Sequence, residues 1–253
     1  MPRNGTCRGW MMRAPAARVL SVQAMHATTL METTMERAER ARIIMDRLAG
    51  LYPDAHIMLE YDTPFRLLIA VILSAQTTDV GVNKVTPVLF ERFPEPADLA
   101  GADPTEVEEI IRPTGFFRNK TKAIIGAAQK VVAEYGGDVP DTMEGLISLP
   151  GVARKTANIV ISNAFGVVEG IAVDTHVFRL AHRFGLSDEK NPDKVERDLM
   201  EVFPREEWFC VNYRFIDHGR AVCTAKRPTC GVCALNDVCP SAFAVAGWRE
   251  SAD

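Results

Sequence analysis

The sequence predicts an all-α protein, and three observations lead to this fold class. Apolar residues recur at the spacing of amphipathic helices over most of the chain. No segment keeps the strict apolar–polar alternation of a half-buried strand. Pro and Gly fall where the apolar periods begin or end, as at helix boundaries. With 253 residues, 47% of them hydrophobic, the chain can bury a substantial core in one or two compact domains.

The predicted helices follow one another with short connections. They cover residues 35–51, 64–75, 79–93, 104–111, 120–136, 143–149, a segment through 157–161, and then 175–184, 192–203 and 206–218. Residues 65–75 are apolar nearly all round, which predicts a central, buried helix. No run of apolar residues is long enough to span a membrane, so we expect no membrane partner.

Residues 1–34 differ from the rest, because they are rich in Arg and poor in acidic residues. A secretory signal is excluded by the missing apolar core. An organellar transit peptide, a disordered basic extension and a true start at an internal Met remain, and we expect the extension or the later start. The net charge of −4 argues against indiscriminate coating of nucleic acid, although a local basic face is sufficient for phosphate contacts.

Residues 149–157, which read Leu-Pro-Gly-Val-Ala-Arg-Lys-Thr-Ala, predict a tight hairpin between two helices. Gly151 can take the positive φ that such a turn needs. The amides of the hairpin would then lie at the N-terminus of the second helix, where unpaired N–H groups and the helix dipole favour an anion. A DNA phosphate is the obvious candidate for that anion.

Lys155 lies within the first turn of that helix, where a cation is locally disfavoured. It either binds phosphate or serves as a nucleophile, which requires a neutral amine. Asp174, in the stretch Val-Asp-Thr-His, could be its partner, although an Asp before a Thr is ordinarily a helix N-cap. The residues alone do not decide whether Lys155 binds phosphate or is a nucleophile, or whether Asp174 is its partner or only a helix cap.

Four of the six cysteines lie close together near the C-terminal end, at Cys223, Cys230, Cys233 and Cys239. In a chain without a signal peptide such a cluster indicates a metal site rather than disulfides. Zinc commonly uses two Cys-x2-Cys pairs, and only one such pair is present. An iron–sulfur cube also takes four cysteines. Lys226 and Arg227 lie in the loop between the first two, where they could meet phosphates or simply close the domain.

The hairpin sequence, together with Val-Asp-Thr-His-Val-Phe-Arg at 173–179, resembles the endonuclease III family of helix-hairpin-helix DNA glycosylases. The resemblance covers about residues 36–240. It implies a base-excision-repair glycosylase with AP lyase activity on oxidised pyrimidines in damaged double-stranded DNA. Lys155 and Asp174 would be its catalytic residues. The six-two-five spacing of the cysteines matches that of the family, which implies a 4Fe–4S cluster.

The resemblance also assigns DNA-binding residues. Gln76 would enter the gap left by an extruded base, and Phe116 would be the second wedge. Their alternatives are an ordinary helix-to-helix link and a buried aromatic. The remaining predicted contacts are the hairpin residues and the basic pair of the cysteine loop, namely Gly151, Ala153, Arg154, Lys226 and Arg227. Ala153 stands where the family commonly has a second glycine, which matters only if the backbone there needs a positive φ or must touch a phosphate.

The family fold implies a six-helix domain over residues 57–168, and a helical iron–sulfur domain built from 35–56 and 169–245. We expect a monomer in the cytoplasm, associated with the nucleoid of a prokaryote. Mismatch-specific thymine, uracil or adenine glycosylases of the same superfamily are the alternatives within this fold. A non-catalytic DNA-binding module would not need both Lys155 and Asp174, and an electron-transfer ferredoxin would need neither the hairpin nor most of the chain.

Overall fold

The computed structural model describes residues 6–8 and 35–251, and all regular structure in these residues is helical. The prediction of an all-α fold is confirmed. The chain divides into two compact units: residues 56–174 form the first, while 6–8, 35–55 and 175–251 form the second. The predicted basic extension, residues 1–34, lies outside the described residues apart from 6–8.

The first unit contains seven α-helices joined by short loops. They are α2 (Pro64–Leu73), α3 (Asp79–Arg92), α4 (Pro96–Ala100), α5 (Pro104–Ile111), α6 (Phe117–Tyr135), α7 (Met143–Ile147) and α8 (Arg154–Phe165), with a 3-10 turn at Arg112–Thr114 between α5 and α6. Helix α2 begins with Pro at its first position, and the Thr63 hydroxyl caps it by accepting from the Arg66 amide.

Helix α2 is the centre of the first unit, as its composition predicted. All of its residues from Leu67 to Leu73 are buried, and it packs against α3, α6 and α8. A helix that is apolar all round has no solvent face to give up, so burial on every side is its favourable state. Helix α8, which follows the hairpin, therefore packs against the most completely buried helix of this unit.

The second unit has four α-helices among the described residues. They are α1 (Arg37–Leu51), α9 (Thr175–Arg183), α10 (Pro192–Val202) and α11 (Trp208–Ala221), with 3-10 turns at Arg205–Glu207 and Cys230–Val232. Helix α11 packs against α1 and α9. An edge-to-face pair of Phe184 and Phe215, with ring centroids 5.4 Å apart, lies in the core of this unit.

Cys7 belongs to the second unit and is buried. Its amide donates to the Ala55 carbonyl at 3.1 Å, and the Arg8 amide donates to the Pro53 carbonyl at the same distance. Residues 6–8 are thus held along the segment that follows α1. Cys210, the other cysteine outside the cluster, is buried in α11, as its apolar surroundings in the sequence predicted.

Candidate functional site

The hairpin has the backbone that the Pro-Gly sequence predicted. Gly151 has a φ of 76°, and the Val152 amide donates to the Leu149 carbonyl at 3.1 Å. A Cβ on residue 151 would come within 2.7 Å of the Ala123 Cβ on α6. Two independent reasons therefore require glycine here: the left-handed backbone, and the close approach of the turn to α6.

Ala153 is the N-cap of α8 and has an extended backbone with a φ of −93°. The replacement of the family's second glycine therefore introduces no backbone strain. An alanine N-cap has no side-chain oxygen, so no side chain of residue 153 can accept from the first amides of α8. The start of the helix is accordingly suited to an external acceptor such as a phosphate.

Lys155 is the second residue of α8 and is half-buried. The next two residues, Thr156 and Ala157, are buried against the core of the first unit. The side chain of Lys155 is therefore carried by a helix start that cannot shift without disturbing that core. Arg154, the first residue of α8, is also half-buried.

Asp174 directly precedes α9 and is half-buried. It follows three buried apolar residues, Ile171, Ala172 and Val173. Asp174 and Lys155 both belong to the first unit. The arrangement thus supplies one amine and one carboxylate, each partly exposed and each fixed at the end of a buried segment.

The two predicted insertion residues lie on exposed loops of the first unit. Gln76 is exposed between α2 and α3, and Phe116 is 65% exposed just before α6. Both have a left-handed backbone, with φ values of 55° and 48°. The exposure of Phe116 removes the alternative that it is a buried core aromatic. Thr78 caps α3, because its Oγ1 accepts from the Gly81 amide at 3.1 Å.

The four clustered cysteines are brought together in the second unit, where all of them line one cavity. Burial, with a smaller contribution from the proximity of the other three cysteines, raises the pKa of the Cys239 thiol to about 11. Arg183 Nη1 lies 3.2 Å from Cys223 Sγ. Four thiolates this close to one another require a compensating positive charge, which a metal cluster would supply.

The loop between Cys223 and Cys230 is closed at its base, where the Thr229 amide donates to the Val222 carbonyl at 3.0 Å. Arg183 donates to the Thr224 and Ala225 carbonyls at 2.8 and 2.9 Å. Lys226 and Arg227 are exposed on this loop. The loop therefore presents two cations on a backbone that is already ordered, so little entropy is lost when they bind.

Sequence reasoning missed the arginines that anchor this loop. Arg179 donates to the Gly219 and Cys223 carbonyls, each at 3.1 Å, and Arg183 lies one helical turn further along α9. The signal was present, because two arginines four positions apart share one face of a helix. Sequence reasoning also missed the burial of Lys120, which stands among polar residues after the Phe116 loop in the sequence.

Comparison with known proteins gives the class first. Residues 69–205, more than half of the chain, match the HhH-GPD superfamily of base excision DNA repair proteins. This match covers α3 to α8 with the hairpin, and continues through α9 and α10. None of the described helices has the length and apolar composition needed to cross a bilayer.

Similarity to individual proteins identifies the family within this superfamily. The chain is 51% identical to endonuclease III of Synechocystis sp. over 217 residues, which are 86% of this chain and 99% of the relative. A structure of a non-covalent endonuclease III–DNA complex is 43% identical and covers 83% of this chain and 98% of its own, with a TM-score of 0.80. A trapped endonuclease III–DNA covalent intermediate gives the same identity and TM-score. The chain belongs to the endonuclease III family.

Proposed function

We propose that this protein is a base-excision-repair DNA glycosylase with AP lyase activity, acting on oxidised pyrimidines in duplex DNA. The observation that carries the proposal is the position of Lys155, one residue into the first turn of α8 and directly after the Gly151 hairpin. A relative of 43% identity has been trapped in a covalent intermediate with DNA. A covalent bond to DNA requires a protein nucleophile, and the Lys155 amine is suited to that role.

The hairpin would hold the DNA backbone beside the damaged nucleotide. Its amides and the first amides of α8 lack a side-chain acceptor from residue 153, and a phosphate oxygen would accept from them. Such contacts carry no base information, so they position the strand for any lesion. The damaged nucleotide would be flipped out of the helix, at a cost of about a few kcal/mol that is smallest at damaged pairs.

Lys155 would then attack C1′ of the flipped nucleotide. The new C–N bond displaces the damaged base, which leaves with the electron pair of the glycosidic bond. Loss of the amine proton and opening of the sugar give a Schiff base between Lys155 and C1′. Removal of a proton from C2′ and expulsion of the 3′ phosphate complete the β-elimination and cut the strand.

Asp174 would support this sequence in two ways. Its carboxylate can accept the proton that the lysine amine must lose, and it can stabilise positive charge on the sugar as the base leaves. The three buried residues before it fix the backbone that carries this carboxylate. Gln76 and Phe116 would fill the space left by the flipped nucleotide, and their exposed loops give them access to the duplex.

We propose that the four cysteines hold a 4Fe–4S cluster. The four cysteines line a common cavity in the second unit, so their thiolates could bind one metal group together. A four-iron cube takes four cysteine thiolates, one for each iron, and the six-two-five spacing of these cysteines fits it better than zinc, which commonly uses two Cys-x2-Cys pairs. The cluster would fix the Lys226–Arg227 loop, and no step of the reaction is assigned to it.

This cofactor assignment predicts a brown protein with a broad absorbance near roughly 400 nm, as expected for such clusters. Metal analysis should give about four iron atoms for each chain. Replacing Cys239 by Ser should lower both the iron content and the absorbance, while Cys210→Ser, which removes a buried cysteine outside the cavity, should change neither. Zinc in place of iron would contradict the assignment.

The exposed cations of the cysteine loop predict a change in the salt dependence of DNA binding. If Arg227 contacts one phosphate, Arg227→Ala should reduce the slope of log affinity against log salt by about one unit. Arg42→Ala is the matched control, because it removes the same charge from α1, where Asp46 already pairs with it at 3.2 Å. An equal slope in both variants would remove the loop from the interface.

The proposed substrate class is tested with duplexes that each carry a single modification. Thymine glycol should be excised and the strand cut, with a borohydride-trapped protein–DNA complex as the mark of the lyase step. Uracil and adenine mismatches in the same sequence serve as the comparison. Excision of a mismatched base without thymine glycol activity would assign the chain to a mismatch-specific branch. Binding without any excision would leave only a DNA-binding module.

A further inference from the structure

Gln76 and Phe116 stand out in the backbone as well as in their exposure. Only three non-glycine residues in the described part of the chain have a positive φ, and these are two of them. A bulky side chain in this conformation is unfavourable, and such residues persist where the surrounding structure holds them in place. The residues that hold these two loops should therefore matter to whatever the loops do.

Lys120 joins the two loops through its side chain. Its Nζ donates to Thr77 Oγ1 at 2.6 Å and to the Thr114 carbonyl at 2.8 Å. Thr77 Oγ1 in turn donates to the same Thr114 carbonyl. The three groups form a closed ring of hydrogen bonds between the residue after Gln76 and a residue of the loop that carries Phe116.

The backbone of Lys120 completes the connection. Its amide donates to the Phe116 carbonyl at 3.1 Å. This hydrogen bond closes the first turn of α6, and Phe116 is the N-cap of that helix. Thr114 is itself fixed, because its hydroxyl donates to the Ile111 carbonyl at 2.8 Å. One residue thus contacts both loops, and α5 and α6 anchor it.

A positively charged side chain at this position costs free energy of folding, because it is buried. Lys120 is 5% exposed, and both acceptors of its Nζ are neutral oxygens. Burial lowers the pKa of Lys120, because no nearby charge compensates the loss of hydration. An apolar side chain of similar length would avoid the cost of burying this charge. Stability alone therefore does not explain a lysine here.

We propose that Lys120 is a positioning residue for base extrusion, which sets the separation of the Gln76 and Phe116 loops so that both side chains enter the duplex together. The inference rests on the proposed function, in which these two residues fill the gap left by the flipped nucleotide. Insertion at two points on one duplex requires a fixed distance between them. A loop displaced by about 1 Å can cost up to about a hundredfold in rate.

The test removes hydrogen bonds of the ring by substitutions that keep the size of each side chain, so that no cavity is left. Lys120→Met keeps the length of the side chain and removes both donors, and Thr77→Val keeps its shape and removes the hydroxyl. Lys122→Met, at an exposed position on the same helix, is the matched control. For each variant, single-turnover excision of thymine glycol from duplex DNA is compared with borohydride trapping on an abasic site in single-stranded DNA, where no partner strand has to be displaced.

We expect Lys120→Met and Thr77→Val to slow duplex excision by about tenfold to a hundredfold. Trapping on the single-stranded abasic site should stay within about twofold of the parent protein. Fluorescence of 2-aminopurine placed beside the lesion should rise less on binding, since fewer nucleotides are extruded.

Duplex excision at the parent rate in both variants would overturn the inference, and so would an equal loss on both substrates. A variant that fails to fold is set aside in favour of the other, since the two changes act on different helices and loops. Failure of the proposed function would give a different result, because the parent protein itself would then give no trapped complex on either DNA.

Discussion

Lys155→Gln should abolish strand cleavage and the borohydride-trapped complex, while the fold and the binding of damaged duplex DNA persist. Removing a nucleophile leaves only the residual rate from binding and orientation, so we expect a loss of roughly a thousandfold or more. Binding should persist because the proposed phosphate contacts come from backbone amides of the hairpin and of α8. Single-turnover cleavage and a binding titration on the same duplex measure the two effects separately.

Lys84→Gln, at an exposed position of α3, is the control for loss of one positive charge in the same unit. Asp174→Asn should also bind damaged DNA and turn over slowly, since an amide can accept no proton. If Lys155→Gln loses affinity in parallel with activity, the lysine is a phosphate anchor. The covalent mechanism would then have to be abandoned.

Gly151→Ala should be among the most damaging single-methyl changes in the first unit. The left-handed backbone alone costs a non-glycine residue about 1–2 kcal/mol. The added Cβ would also lie 2.7 Å from the Ala123 Cβ, which forces the turn away from α6 at a cost of about another 1–3 kcal/mol. Because the turn sets the position of the α8 amides, DNA affinity should fall together with stability.

Gly166→Ala separates the two contributions. Gly166 follows α8 with a φ of 70°, and a Cβ there would meet nothing within 4 Å. Its cost in denaturant unfolding should therefore contain the backbone term alone, and DNA affinity should not change. Equal destabilisation by the two variants would show that the turn does not press on α6.

The hairpin was predictable from the sequence because its signal is local. Pro150 and Gly151 between two apolar periods indicate a turn, and Gly151 has the positive φ that was expected. Whether Ala153 disrupts the turn could not be decided in the same way, since that depends on the backbone angle of one residue. The structure gives it an extended backbone, as suits an N-cap.

Lys120 shows where sequence reasoning stops. In the sequence it stands among Arg118, Asn119 and Lys122, which are typical of a solvated surface. Its burial arises because Thr77 and Thr114 meet in space, although the two are far apart in the chain. No local period or spacing encodes that meeting. The cysteine cluster lies between these cases, because its spacing indicated a metal site and the fold was needed to bring the four thiols around one cavity.

The alanine cap of α8 gives the stability of the free protein a different meaning. An alanine N-cap costs about 0.5–2 kcal/mol relative to Ser, Thr, Asn or Asp, and this chain accepts that cost at the helix start that carries Lys155. A phosphate at the same place would restore the missing acceptor. Folding and attachment to the backbone of DNA then become linked equilibria, in which any duplex, damaged or intact, adds to the free energy of unfolding. The free energy of unfolding would be lowest for the free protein and highest for the protein bound to a duplex.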